Sequence, residues 1–184
     1  STEILFGNTN SLQGAIQIDP GASLTFLETT AGAFSGTLAG SGTLNIGDGV
    51  STYAPVQIGT ANPGFVGLAN VLSGASLNLT GSLANSSLMT VALGATLTGT
   101  GTTGPLTSNG TIQPGNSVGT LTVQGNLILG ANNQLIIEIE PTQASLLQVS
   151  GSASIDGTLT VVPSSGFYGF GQTFTILSSA ALSG

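Results

Sequence analysis

Lysine, arginine, histidine, cysteine and tryptophan are all absent from the 184 residues, which carry seven acidic side chains. Each gap removes a class of function. A formal charge of −7 with no side-chain cation leaves nothing to neutralise phosphate or sulfate, which excludes nucleic acid, heparin and anionic lipid faces as partners. It also excludes salt bridges between side chains, so stability has to come from backbone ladders and apolar burial. Without His or Cys there is no Ser-His or Cys-His nucleophile, no disulfide framework and no thiol chemistry. A cysteine-free chain suits passage between compartments in an unfolded state. No apolar run approaches the ~20 residues that a membrane helix needs, so this segment is not expected to insert in a membrane. No signal peptide opens the sequence, and a secreted protein would be represented here by a mature fragment.

Charge of either sign is scarce, at 4% of residues, where about a quarter is usual. Disorder does not follow, because 40% of residues are hydrophobic and they alternate with period two. The densest example is Ser108-Asn-Gly-Thr-Ile-Gln-Pro-Gly-Asn-Ser-Val-Gly-Thr-Leu-Thr-Val-Gln-Gly-Asn-Leu127. Alternations such as Thr120-Leu-Thr-Val123 are cut every few residues by Gly, Asn or Pro, which reads as strand, corner, strand, corner. Gly115 and Asn116 tolerate φ > 0 and Pro114 presets its own φ where the bend begins, with Gly119 as the further corner residue.

Two phrases recur. Gly-Ala-x-Leu stands at Gly21–Leu24, Gly74–Leu77 and Gly94–Leu97, and Gly-Thr-Leu/Ile at Gly36, Gly42, Gly110, Gly119 and Gly157. Leu24 and Leu44 have the same spacing as Leu77 and Leu97. Irregular self-similarity at this period, about 20 residues, marks a solenoid. Three short strands and three corners make one rung of a parallel β-helix at this length. That predicts an all-β chain of roughly eight or nine rungs, about 40 Å long at ~4.8 Å per rung. An antiparallel sandwich is the alternative, but Asp48-Gly49 and Asn109-Gly110, its best hairpin signals, have short, unmatched neighbours.

The rhythm divides the chain into irregular rungs over 1–107 and a more regular C-terminal folding core over 108–184. Val50–Leu72, with Tyr53, Pro55, Pro63 and Phe65, reads as a loop or an irregular rung. Gly99–Gly104 reads as a low-complexity corner or flexible link, and Ser86 as a surface position where Asp is tolerated. After Gly125 the strands lengthen. The core positions of this part are Leu121, Val123, Leu127, Leu129, Leu135, Ile137, Ile139, Leu159, Val161, Phe174 and Ile176. The aromatic segment Phe167-Tyr-Gly-Phe170, with Phe174, is placed to cap the open end that a solenoid would otherwise expose.

The block Asn109–Leu127 resembles the C-terminal part of pertactin-like autotransporter passenger domains of Gram-negative type V secretion. Leu135-Ile-Ile-Glu-Ile-Glu140, Leu147–Val161 and Tyr168-Gly-Phe-Gly-Gln-Thr-Phe-Thr-Ile-Leu177 follow that family's order, and Phe34–Ile46 is similar to its weaker strand repeat. The resemblance implies a right-handed parallel β-helix on the outer surface of a bacterium, acting as a non-enzymatic stem. Its C-terminal rungs would serve as an autochaperone-like core that helps draw the passenger through the outer membrane, and its partner would be a downstream translocator β-barrel. Gln143, Ser145 and Gln148 stand where the family tends to place acidic residues near Leu147, and the total lack of Lys and Arg is unusual for it.

Few residues are left to carry chemistry. Glu138 and Glu140, two apart in a strand, share one face opposite Ile137 and Ile139. Paired carboxylates suit glycoside hydrolysis, but with no cation or imidazole nearby they read as charges that keep a sheet edge soluble. No catalytic or cofactor-binding residue and no metal site is assigned. Asn45-Ile-Gly-Asp-Gly49 faintly resembles a calcium corner but lacks the repeat of calcium β-rolls, so a turn is the reading. Thr96, Thr98, Thr100, Thr102 and Thr103 suggest an ice-binding face, against which the irregular register argues. An uncharged Asn/Ser/Thr surface leaves adhesion or self-association as the second functional reading.

Overall fold

Gly21, Gly74 and Gly94 each occupy the third position of one recurring turn, with φ of +77°, +80° and +77°. The following residue donates its N–H three residues back: Ala22 to Asp19, Ala75 to Leu72 and Ala95 to Ala92, at 2.9, 3.0 and 3.0 Å. A type II turn needs φ > 0 at that position, which glycine supplies at no steric cost. Each turn launches a strand, Ser23–Phe26, Ser76–Leu79 or Thr96–Gly99, whose second residue is the buried leucine of the phrase.

The computed structural model describes residues 3–6, as a strand, and 12–184. Gly7-Asn-Thr-Asn10, which by composition reads as a corner, lies outside the described residues. The chain is all-β, a parallel solenoid of about seven turns and about 22 residues per rung. Strands visit three faces in rotation: a nine-stranded sheet, an eight-stranded sheet, and a third face split into three- and five-stranded sheets. At ~4.8 Å between strands the nine-stranded sheet is about 38 Å long. Strands of successive rungs pair in parallel among the described residues, which removes the sandwich alternative; the short Gln134–Glu140/Gln143–Ala144 hairpin and the isolated Gly99/Gly115 bridge are antiparallel.

The rungs are fewer and longer than the recurring phrases predict because some corners are long. Along the nine-stranded sheet Ser23 pairs with Thr43 and Leu68 with Leu88, both at the short period of the phrases. Thr43 pairs with Leu68, Leu127 with Ala153 and Ala153 with Leu182, each at a longer step than the one before. Within Val50–Leu72 lie part of a long corner and then three strands in register, Val56–Ile58, Gly64–Phe65 and Leu68–Val71. The 99–104 stretch is no link either. It comprises the end of strand Thr96–Gly99, a corner and strand Thr102–Thr103, each paired on both sides.

The core is a set of columns running along the solenoid axis. One runs Leu24, Leu44, Ala69, Met89, Leu106, Leu127, Ala153, and another runs Val56, Leu77, Leu97, Ile112, Leu135. Every member is buried. Each large aliphatic side chain so buried contributes about 1.5–3 kcal/mol of transfer free energy, realised only when a rung lies above and below. The columns cross residue 107 without a break, since Met89 pairs with Leu106 and Leu106 with Leu127.

The third face has a seam. Its three-stranded part ends at Gly64–Phe65, its five-stranded part begins at Ser82–Leu83, and a single bridge, Ala61 to Ser82, joins them. Asn62, buried at the seam, completes the ladder with its side chain. Its Oδ1 accepts from Leu38 N (2.7 Å), and its Nδ2 donates to Ser82 O (3.2 Å) and Thr60 O (2.9 Å). One carboxamide thus spans the rung before and the rung after.

Candidate functional site

The carboxylates are dispersed. Glu138 and Glu140 lie on one face of strand Gln134–Glu140, as their spacing requires, and each has an amide partner: Gln113 Nε2 donates to Glu138 Oε1 and Gln143 Nε2 to Glu140 Oε2, both at 2.8 Å. Asp19 and Asp156 are exposed at corners, and Glu28 is buried inside the stack. The side chain of Glu3 lies outside the described residues. Among the described residues no group of three or more His, Cys, Asp or Glu could hold a metal ion, and no helix is long and apolar enough to cross a membrane.

Asp48 organises a corner. Its Oδ1 accepts from Val50 N (2.8 Å) and Ser51 N (2.9 Å), and Tyr53 OH donates to its Oδ2 (2.8 Å). The Ser51 and Val50 amides, then the Tyr53 hydroxyl, hold its carboxyl below the ordinary 3.8. The same carboxylate holds the Tyr53 phenol above its ordinary 10.0. The turn expected there is a turn, with both carboxylate oxygens used inside it.

The other corner of interest is built around Gly115, whose φ is +92°. It exchanges two backbone hydrogen bonds with Gly99: Gly115 N donates to Gly99 O (2.8 Å) and Gly99 N to Gly115 O (3.1 Å). Pro114 is buried in register with Gly99. Asn116 departs from the expectation: no non-glycine residue has positive φ among the described residues, because Gly115 takes up the reversal alone. A Cβ on Gly119 would meet Thr100 Cγ2 at 2.8 Å and Gly115 Cα at 3.0 Å, so its role is close approach. Threonines do not form a flat array: Thr98 stands between Asn78 and Gln113, and Thr103 points into the core.

Of the expected core positions, Leu121, Val123, Leu127, Leu129, Leu135 and Ile137 are buried, and Ile139, Phe174 and Ile176 are half-buried. Leu159 and Val161 depart. They face inward, in register with Leu135 and Ile137, yet are 51% and 46% exposed, because among the described residues no rung stacks on their outer side. Leu182, in register with buried Ala153, is 61% exposed for the same reason.

The aromatic segment does not close this end. Tyr168 OH lies 3.0 Å from Ile139 O and from Ser164 O, and Gln172 Nε2 donates to Pro141 O. These bonds fasten the segment over the tip of the Gln134–Glu140 hairpin, at the rim, and leave Phe167 87% and Phe170 fully exposed. What remains is a cavity of about 570 Å³ walled by Leu129, Leu135, Leu159, Phe174, Leu177 and Leu182, with Asp156 and Thr158 at its edge. Alternation alone could not reveal it, because an inward position at an open end has the same sequence pattern as one in mid-stack.

Sequence reasoning also missed Ser86, which is buried rather than a tolerant surface position; its hydroxyl accepts from Gly104 N of the next rung (3.3 Å). Asn62 escapes notice for the same reason: short polar residues in corners look alike whether they point out or under the neighbouring rung. Compared with protein-family models, curated proteins and solved structures, the chain has no match.

Proposed function

We propose that the chain is the C-terminal β-helical stem of a secreted, surface-displayed autotransporter passenger, non-enzymatic, whose work is to fold stably and to carry upstream regions outside the cell. The reading places it on the extracellular side of a bacterial outer membrane, with a translocator β-barrel as its partner. The observation that carries it is the position of the family-like phrases of 108–163: they fall, in chain order, on strands Thr111–Pro114, Thr120–Val123, Gln134–Glu140, Leu146–Val149 and Thr158–Pro163, continuous with the columns upstream, whereas of Tyr168–Leu177 only the last residue lies in a strand. The dispersed, amide-bonded carboxylates support a structural role over a glycan-active one; Glu138→Gln/Glu140→Gln would abolish turnover of any glycan substrate and leave a stem untouched.

Export tests the reading. Fused upstream of a translocator barrel in a Gram-negative host, the chain should reach the surface and resist external protease, and Ile137→Asp should abolish display. Equal display of both would overturn the stem role. Adhesion is the second reading, favoured by one observation. The nine-stranded face carries an uncharged side-chain ladder: Asn45 Nδ2 donates to Thr25 Oγ1 (3.4 Å), Asn70 Nδ2 to Asn45 Oδ1 (3.0 Å) and Thr90 Oγ1 to Asn70 Oδ1 (2.8 Å).

A further inference from the structure

Acid unfolds an ordinary domain by breaking ion pairs, by charging buried histidines and by leaving cations that repel one another. With no Lys, Arg or His, this chain is open to none of these. Its carboxylates lean on neutral groups instead. Glu138 and Glu140 accept from the amides of Gln113 and Gln143, and Asp156 accepts from Gly157 N. Asp48 accepts from Val50 N, Ser51 N and the Tyr53 hydroxyl. Asp19 is exposed at its corner and Glu28 is buried in the stack. The other tyrosine, Tyr168, bonds to backbone carbonyls. A protonated carboxyl can still accept from an amide, so acid costs the fold chiefly the Asp48 corner. What it removes is the charge, and nothing takes its place.

The nine-stranded face is where that loss matters. Its strands from Thr43–Ile46 to Ser152–Ser154 contain no charged residue. Beside the Asn45–Asn70–Thr90 ladder they present Leu68 and Ile128, 43% and 50% exposed. Four residues at ~3.3 Å give the face a width of about 13 Å, and with the length of about 38 Å roughly 500 Å² per copy. Two such faces would bury about 1,000 Å² in all, the low end for a specific contact. In a contact that weak, a charge of −7 on each copy decides the outcome.

We propose that acid is a switch for self-association, in which two folded copies pack nine-stranded face to nine-stranded face about a two-fold axis once their carboxylates are protonated. At neutral pH a charge of one sign on both copies holds them apart. Below about pH 4 carboxylic side chains take up protons and the repulsion goes. An ordinary protein turns positive on the acid side of that point and separates again; this chain has no side-chain cation with which to do so. Because the same face is used by both copies, the assembly closes as a dimer.

The inference deepens the adhesion reading, whose uncharged face it uses; adhesion itself is read separately, by binding of the pH 7 monomer to cells. The test is light scattering of the 184-residue chain on a sizing column, with circular dichroism of the same samples. Concentrations run from about 1 to 200 μM, at about 0.01 M salt, where charges are felt over about 30 Å. A monomer is expected at pH 7 and a dimer at pH 2.5, at least about 100-fold tighter, with the β spectrum kept and the monomer restored at pH 7. Asp19→Asn/Glu138→Gln/Glu140→Gln/Asp156→Asn, which removes four of the seven charges, should dimerise at pH 7. Leu68→Lys/Ile128→Lys puts on the face two charges that acid does not remove, and should stay monomeric at pH 2.5. The same two charges in Ala33→Lys/Gln134→Lys, exposed on the eight-stranded face, should leave the acid dimer in place. A monomer at pH 2.5 overturns the proposal. So does loss of the β spectrum on association, or association indifferent to where the lysines stand.

Discussion

At the scale of single residues, the seam at Asn62 is the place where one side chain matters most. Its carboxamide is the acceptor for the buried Leu38 N–H and a donor to Ser82 O. Asn62→Ala would leave a backbone N–H without an acceptor in the interior, at a cost of about 2–3 kcal/mol, to be read as a lower denaturation midpoint in urea. Asn116→Ala, at an exposed corner with ordinary φ, should stay within about 0.5 kcal/mol. Asp48 and Tyr53 make a pH-sensitive pair. The carboxyl is depressed in the folded state, so the corner's contribution is fully present above 3.8 and lost as pH falls through the lower folded value. The phenol is raised, so on the alkaline side the contribution is present below 10.0 and lost as pH rises through the higher folded value. In a Tyr168→Phe background, ultraviolet titration should find Tyr53 ionising above 10.0, and Asp48→Asn should bring it down. An unchanged midpoint would mean that the bond is absent in solution.

At the scale of strands and rungs, the columns explain both what the alternation reveals and what it hides. Leu24 and Leu44, and Leu77 and Leu97, are linked in the sequence by nothing more than an equal spacing, and they are Cα partners in adjacent strands. The phrase works because its glycine turn sets the phase of the strand that follows. The hidden positions are those where a column tolerates a small polar residue. Thr103 sits between Leu83 and Val123 with its hydroxyl toward Met89 Sδ at 3.4 Å, and Ser108 sits between Val91 and Leu129. Both make the apolar pattern look broken where the stack is continuous. Thr103→Val exchanges a weak hydroxyl–sulfur contact for a methyl, and thermal melting should find it neutral or stabilised by up to about 1 kcal/mol. Leu135→Asp or Ile137→Asp places an unpaired carboxylate in an apolar column at a cost of several kcal/mol. Proteinase K, needed because trypsin has no Lys or Arg to cut, should then find no resistant C-terminal fragment.

At the scale of the whole molecule, the solenoid has sides that are satisfied and an end that is not. Along the sides every rung buries the previous one, and among the described residues the charges other than buried Glu28 sit at corners or pair with amides. At the C-terminal end the same inward leucines and valines meet solvent. In a repeat architecture each rung can bury only what its neighbours cover.

The amino-acid order by itself determined the class of the fold, its approximate period and the side-chain groups the chain lacks: imidazole, thiol and any side-chain cation. Those properties depend on local turn geometry, on alternation and on which side chains exist at all, and each is readable within a short stretch. Only the tertiary structure decided the number of rungs, the seam closed by Asn62 and the burial of Ser86. These depend on how far each corner carries the chain before it meets the rung below, and on whether anything lies above. Both are relations between residues a whole rung apart, and a strand's own pattern does not encode them.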